Sequence, residues 1–165
     1  MVILSIFIRD DQVKVTGKCE LYKGKICSPY ISDSSFVFVD VKERKNNQDF
    51  IEQKLSVANT AMISMLSNSC KPFALPLLCH HHFPDCSTIN SKAEPKMICK
   101  NECQQIMTKH CKAEYILAKR LGKSGDSKDD IFPNCNTLPK NNRKGMCFSL
   151  TRHVLPPINP GKVHS

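Results

Sequence analysis

FALPLLCHHHFPDC, residues 73–86, places three consecutive histidines between Cys79 and Cys86. Such a cluster fits a metal site, a catalytic site or a corner of a disulfide framework. Zinc sites in reduced proteins normally show tightly spaced pairs such as C-x2-C, and this chain has no C-x2-C. The stretch must therefore be interpreted together with the other cysteines.

The cysteine content favours the disulfide interpretation. The chain has ten cysteines in 165 residues, an even number, and its length and 41% hydrophobic content suit one domain with a modest core. This composition is typical of a protein from an oxidising compartment. Spacing alone leaves the pairing of these residues open: Cys19, Cys27, Cys70, Cys79, Cys86, Cys99, Cys103, Cys111, Cys135 and Cys147.

Metal and catalytic chemistry find little support in the sequence. Adjacent side chains on an extended segment point in alternate directions, so at most two of His80, His81 and His82 could share a metal. Oxidised cysteines cannot serve as thiolate ligands. The chain also lacks the G-x-S-x-G, H-E-x-x-H and Gly-rich phosphate-loop motifs, and its carboxylates are scattered. We expect no metal site, no catalytic residues and no enzymatic activity in this domain.

The N-terminal third is predicted to contain short strands. Val13 and Val15 alternate with lysines, and FVFVDV at 36–41 is rich in β-branched and aromatic residues. We predict further short strands near Cys19 and Cys27.

Helical periodicity begins at Asp49. Apolar residues then recur every three or four positions, which predicts a helix of about five turns ending before Cys70. Pro72, Pro76 and Pro84 predict short turns or one-turn helices after it. The residues on the apolar face of the helix are Ile51, Leu55, Ala58, Met62 and Met65.

A second helical stretch is predicted to start near Pro95, a favourable first-turn residue. It would carry the cysteines from Cys99 to Cys111 and continue toward Arg120, before a polar loop at 122–126.

The two ends are interpreted as flanks of the domain. Residues 1–18 form an N-terminal flank with a strand, and residues 149–165, with three prolines, form a linker. Val2–Ile8 lacks a basic n-region and a small-residue cleavage site, so we do not interpret it as a working signal peptide. We expect the chain to be part of a longer extracellular protein.

Four short segments of the sequence and the order of all ten cysteines resemble the Frizzled-type cysteine-rich domain. Within that superfamily the chain looks closest to the version in the Ror and MuSK group of receptor tyrosine kinases. The resemblance covers about residues 19–148. The four segments are CELYKGKIC (19–27), FALPLLCHHHFPDC (73–86), ICKNECQQIMTKHCKAEYILAK (98–119) and FPNCNTLP (132–139).

The resemblance implies a mainly α-helical, disulfide-rich domain with a small β element and five disulfides. It places the domain in the extracellular part of a single-pass plasma-membrane receptor whose kinase lies elsewhere, and implies that the domain on its own is secreted. The pairing that it implies joins Cys19 to Cys86, Cys27 to Cys79, Cys70 to Cys111, Cys99 to Cys147 and Cys103 to Cys135.

The resemblance also implies a ligand. Such domains recognise Wnt proteins or other secreted partners, and several hold an acyl chain or sterol in an apolar groove between helices. We hypothesise that this domain binds a lipidated Wnt-type protein or a fatty acid, and we expect no other cofactor. Methionine adapts to irregular apolar shapes such as an alkyl chain, although a helical apolar stripe is more often ordinary core. The candidate lipid-binding residues are Met62, Met65, Leu66, Ile106 and Met107.

The positive charge predicts a second class of partner. The formal net charge of +9 would attract acidic polymers, although solvated lysines can also serve only solubility. Heparan sulfate is the natural extracellular candidate, and nucleic acid is not expected because no nucleic-acid-binding motif accompanies the charge. A basic run also occurs at Lys42, Arg44 and Lys45. The candidate glycan-binding residues are Lys119, Arg120, Lys123, Lys140, Arg143 and Lys144.

Overall fold

The structure, a computed structural model, describes residues 17–41, 47–120, 132–140 and 146–153. Five α-helices and a four-stranded sheet occur in this part of the chain, which confirms the expected mainly helical fold with a small β element. The strands are β1 (Gly17–Leu21), β2 (Phe36–Asp40), β3 (Asp85–Ile89) and β4 (Lys92–Lys96). The helices are α1 (Gln48–Ile63), α2 (Lys71–His82), α3 (Lys100–Gln105), α4 (Lys112–Arg120) and α5 (Leu150–His153).

Five disulfides hold these elements together, and their pairs are those that the resemblance implies. Three of them join α2 or its flanking residues to three different parts of the chain. The bonds are Cys19–Cys86, Cys27–Cys79, Cys70–Cys111, Cys99–Cys147 and Cys103–Cys135.

The sheet consists of two hairpins joined by a short contact. β1 and β2 pair antiparallel over five residue pairs, which confirms the strand at 36–41 and the strand at Cys19. β2 meets β3 at the single pair Val37 and Asp85. The predicted strand near Cys27 is wrong, because the amides of Tyr30 and Ile31 both donate to the carbonyl of Cys27 and close a turn there.

The second hairpin, β3–β4, was not predicted. Asn90 and Ser91 both have positive φ, 50° and 64°, as a two-residue hairpin turn requires. Pro95 lies in β4 rather than at a helix start, so that part of the prediction is wrong. β4 is the last strand in the sheet order, and an edge strand tolerates a residue without an N–H donor.

The predicted break-up of residues 72–84 is also wrong, because α2 is one helix of 12 residues. Pro72 lies in its first turn, where the missing N–H costs nothing. Pro76 lies inside the helix and is fully buried, so apolar burial offsets its lost hydrogen bond. Disulfides at Cys70 and Cys79 further fix both ends of this segment.

α1 begins where the periodicity predicts but ends at Ile63, earlier than expected. Serines and Asn68 dominate residues 64–69 and favour turns over helix. There the Ser67 amide donates to the Glu114 carboxylate of α4 at 2.7 Å, which ties this segment to α4.

Glu52 of α1 connects the helix to the loop after β1. Its carboxylate accepts hydrogen bonds from the Tyr22 hydroxyl at 2.5 Å and from the amides of Lys25 and Ile26 at 2.8 and 2.9 Å. Burial, together with the bond to Glu52, raises the pKa of Tyr22, so its phenol remains a donor. A Cβ on Gly24 would meet the Glu52 carboxylate and the Tyr22 hydroxyl, so a larger residue at this position would displace that hydrogen-bonded pair.

Glu102 of α3 holds the last described segment. Its carboxylate accepts hydrogen bonds from the Ser149 hydroxyl, the Leu150 amide and the Thr151 hydroxyl at 2.7, 2.7 and 2.5 Å. Leu150 is fully buried, and the disulfide to Cys147 lies just before it. Residues 149–151 are therefore attached to α3.

The core lies between the helices and the inner face of the sheet. Its largest fully buried side chains come from α2 and the residue after it, from the segment before α3, from the π-helical turn Ile106–His110 and from α5. They include Leu77, Phe83, Ile98, Met107 and Leu150. The predicted strand at Val13 and Val15, the loop at 122–126 and the tail from Leu155 lie outside the described residues.

We expect Glu52→Gln to lower the free energy of unfolding by about 1–3 kcal/mol, because an amide places its NH₂ against N–H donors that now face a carboxylate. Urea unfolding with the disulfides intact measures this. Glu94→Gln, on an exposed side chain of β4, is the matched control and should change stability little. Equal stability of both variants would contradict the role of Glu52.

Candidate ligand-binding site

Within the described part of the chain, two cavities that border α2 are considered as ligand sites. The first, called here the interhelical cavity, lies between α1 and α2 and has a volume of about 20 Å³, which is room for roughly one water molecule. Leu55 and Ala58 of α1 face Leu75 and Leu78 of α2 across it, and Leu66 closes one side. Its wall is almost entirely apolar.

Asn59 also borders the interhelical cavity. Its Oδ1 is buried and has no hydrogen-bond donor within the described part of the chain. Buried acceptors are normally satisfied, so a donor on a molecule entering this cavity would find a partner here. The site is therefore suited to an apolar group that carries a hydroxyl or a protonated carboxyl.

The predicted lipid-binding residues do not form one open face. Ile106 and Met107 are buried in the core, whereas Leu66 borders the interhelical cavity. Met65 is 70% exposed. The side chain of Met62 lies outside the described residues. Acyl binding by these residues stays a prediction, and their placement is that of core side chains plus one surface methionine.

The second cavity, called here the sheet-side cavity, has a volume of about 280 Å³. It lies where the loop before β2, the end of α2, the start of β3 and Phe148 meet. Ile31, Val37 and Phe83 form its buried base. The other lining residues are Tyr30, Ser32, Ser35, His80, Asp85 and Phe148.

Sequence reasoning missed the sheet-side cavity. Its residues come from three segments up to about 120 positions apart, which disulfides and strand pairing bring together. The histidine cluster is the one local signal of this cavity, because His80 lines it.

The three histidines lie in the last turn of α2, so the prediction that they lie on an extended segment is wrong. His80 is buried, and its ring stacks on Phe148 with centroids 4.4 Å apart. The rings of His81 and His82 meet edge to face at 4.9 Å. Among the residues that the structure describes, no group of three metal-ligating side chains comes together.

His81 is a neutral histidine in the folded protein. Burial, followed by the positive charges of His82 and Lys54, lowers its pKa to about 3 from an ordinary 6.5. An imidazole held neutral in this way resists protonation at the end of α2.

Three of the predicted basic residues lie in the described part of the chain. Lys119 and Arg120 are exposed at the end of α4. Lys140 is exposed. It lies beside the start of α3, because the carbonyl of the preceding Pro139 accepts a hydrogen bond from the Lys100 amide. The remaining predicted basic residues lie outside the described part of the chain: Lys42, Arg44, Lys45, Lys123, Arg143 and Lys144.

A family model of the Fz domain, the Frizzled-type cysteine-rich domain, matches residues 19–149. The chain therefore belongs to the Fz domain family. Fz domains are extracellular, non-catalytic modules that bind protein ligands such as Wnt. No helix in residues 17–41, 47–120, 132–140 and 146–153 is long and apolar enough to cross a membrane.

We expect the stability of the domain to fall as the pH is lowered from about 6.5 to 5. In this range unfolded chains bind a proton at His81 and folded chains do not, so acid favours unfolding by up to about 2 kcal/mol. His81→Gln should flatten this dependence, as urea unfolding at pH 7, 6 and 5 would show. Identical pH slopes for the variant and the parent would contradict the assignment.

Proposed function

We propose that this Fz domain is the ligand-binding module of a Ror/MuSK-like receptor tyrosine kinase, in the extracellular part of a single-pass membrane protein. Its ligand is a Wnt-type lipidated protein or a fatty acyl chain. The observation that carries the proposal is the Fz match over residues 19–149, with all ten cysteines paired. The four sequence segments that resemble the Ror and MuSK group support the assignment to that group of receptors.

The interhelical cavity is the acyl entry point in this proposal. Its apolar wall favours alkyl groups, and each buried methylene contributes about 0.8 kcal/mol. The cavity holds roughly one water-sized group, so an acyl chain enters only when α1 moves away from α2. Leu55 and Ala58 then become the contact surface, and Asn59 accepts a hydrogen bond from a head group.

We expect Ala58→Leu to weaken palmitic acid binding at least about fivefold, because overpacking a filled apolar space costs about 1–3 kcal/mol. Native mass spectrometry of the secreted protein titrated with palmitic acid measures the complex. Val57→Leu is the matched control: Val57 is the preceding residue of α1 and is 68% exposed.

A denatured mass ten hydrogens below that of the reduced chain verifies that each protein carries its five disulfides. Equal palmitic acid binding by the two variants would exclude the interhelical cavity. Binding of a Wnt-type protein without any palmitic acid complex would retain the receptor role and exclude the acyl site.

We also propose heparan sulfate as a second partner, on the observation that Lys119 and Arg120 lie exposed together at the end of α4. The chain's net charge of +9 adds long-range attraction. A sulfated glycan would bind along this end of α4.

The double variant Lys119→Glu/Arg120→Glu should elute from immobilised heparin at clearly lower salt. Lys25→Glu/Lys92→Glu is the control, because it changes the net charge equally at exposed lysines outside α4. Equal shifts for the two double variants would show that only total charge matters, and would count against a site at the end of α4.

A further inference from the structure

The sheet-side cavity is rich in aromatic rings. Tyr30, Phe83 and Phe148 line it together with the imidazole of His80. The rings of His80 and Phe148 are nearly parallel, with an interplanar angle of 20°, so they form one continuous wall. The negative faces of aromatic rings attract organic cations, most effectively where water is partly excluded.

The described lining of the cavity includes one carboxylate. Asp85 is the charged residue among the described residues that line the cavity, and Ser32 and Ser35 add hydroxyl groups. A carboxylate accepts two parallel N–H bonds from a guanidinium, and hydroxyl oxygens accept further ones. This polar set disfavours a phosphate, a sulfate or an alkyl chain.

Asp85 is also held in a defined place. Its backbone pairs with Val37 of β2 on one side and with Lys96 of β4 on the other. The next residue, Cys86, is bonded to Cys19 of β1. A carboxylate on such a fixed segment loses little conformational freedom when it binds a ligand.

The size of the cavity indicates a side chain rather than a whole small molecule. Its volume of about 280 Å³ lies just below the usual range for small-molecule pockets. An arginine has a flat head that stacks on aromatic faces and an apolar stem that would cross the base formed by Ile31 and Val37.

We propose that the sheet-side cavity binds the arginine side chain of a protein ligand, with the guanidinium against Asp85 and stacked among Tyr30 and Phe148. This inference rests on the family's ligand-binding role and does not depend on the acyl site. It assigns a second contact point, on the sheet side of α2.

The full chain, labelled with ¹⁵N, is titrated at pH 7 and physiological salt with N-acetyl-arginine-N-methylamide, and separately with the citrulline analogue. Citrulline has the same shape without the charge. We expect saturable amide shifts for residues 30–37, 80–85 and 148 with the arginine probe, and at least about tenfold weaker binding of the citrulline probe. Physiological salt limits the repulsion from the domain's other positive charges to about 8 Å.

Asp85→Asn should weaken arginine binding about tenfold or more, whereas Asp33→Asn should leave it unchanged. Asp33 is exposed in the loop before β2 and does not line the cavity. Phe148→Leu is a second variant that removes one ring while keeping apolar volume, and it should also weaken binding.

Equal affinity for the two probes, shifts spread over the whole surface, or unchanged binding in both cavity variants would overturn the proposal. Ala58→Leu separates this site from the acyl site, because that variant should bind palmitic acid more weakly and retain arginine binding. Loss of both ligands in Ala58→Leu would mean that the two sites are not independent.

Discussion

The disulfides of α2 and its flanks are the constraint on which the rest of the structure depends. Cys70, Cys79 and Cys86 lie within 17 residues of one another. In that order, they bond to the residue just before α4, to the loop after β1 and to β1 itself. A 12-residue helix with an internal proline would be marginal alone. Covalent attachment at both ends makes it the central element, and each such bond typically adds about 2–4 kcal/mol.

Both candidate sites follow from that helix. Leu75 and Leu78 are three residues apart and share the face that borders the interhelical cavity. His80 lies two positions after Leu78, about 200° further around the axis, and borders the sheet-side cavity. α2 therefore separates an apolar site from a polar, aromatic one. A single ligand that used both would have to contact the domain from two directions.

The sequence predicted the covalent framework and the long periodic helix but not the cavities. The resemblance in cysteine order and short sequence segments predicted the disulfide pairs. The recurrence of Ile51, Leu55 and Ala58 predicted the position of α1. The predictions made from Pro76 and Pro95 were wrong, because proline is tolerated at a buried helix position and in an edge strand although its intrinsic propensity disfavours both. Tyr30, Asp85 and Phe148 have no shared local pattern, since only tertiary structure brings them together.

The attachment of residues 147–151 to α3 determines how the domain would carry mechanical load. The Cys99–Cys147 disulfide precedes the segment that Glu102 holds through three hydrogen bonds. Tension applied to the chain beyond His153 would first break those three hydrogen bonds and then reach a covalent bond at the start of α3. Among the described residues the four strands and the interhelical cavity lie off this path, whereas Phe148, which lines the sheet-side cavity, lies on it, so such a force would reach that cavity before it reached the disulfide.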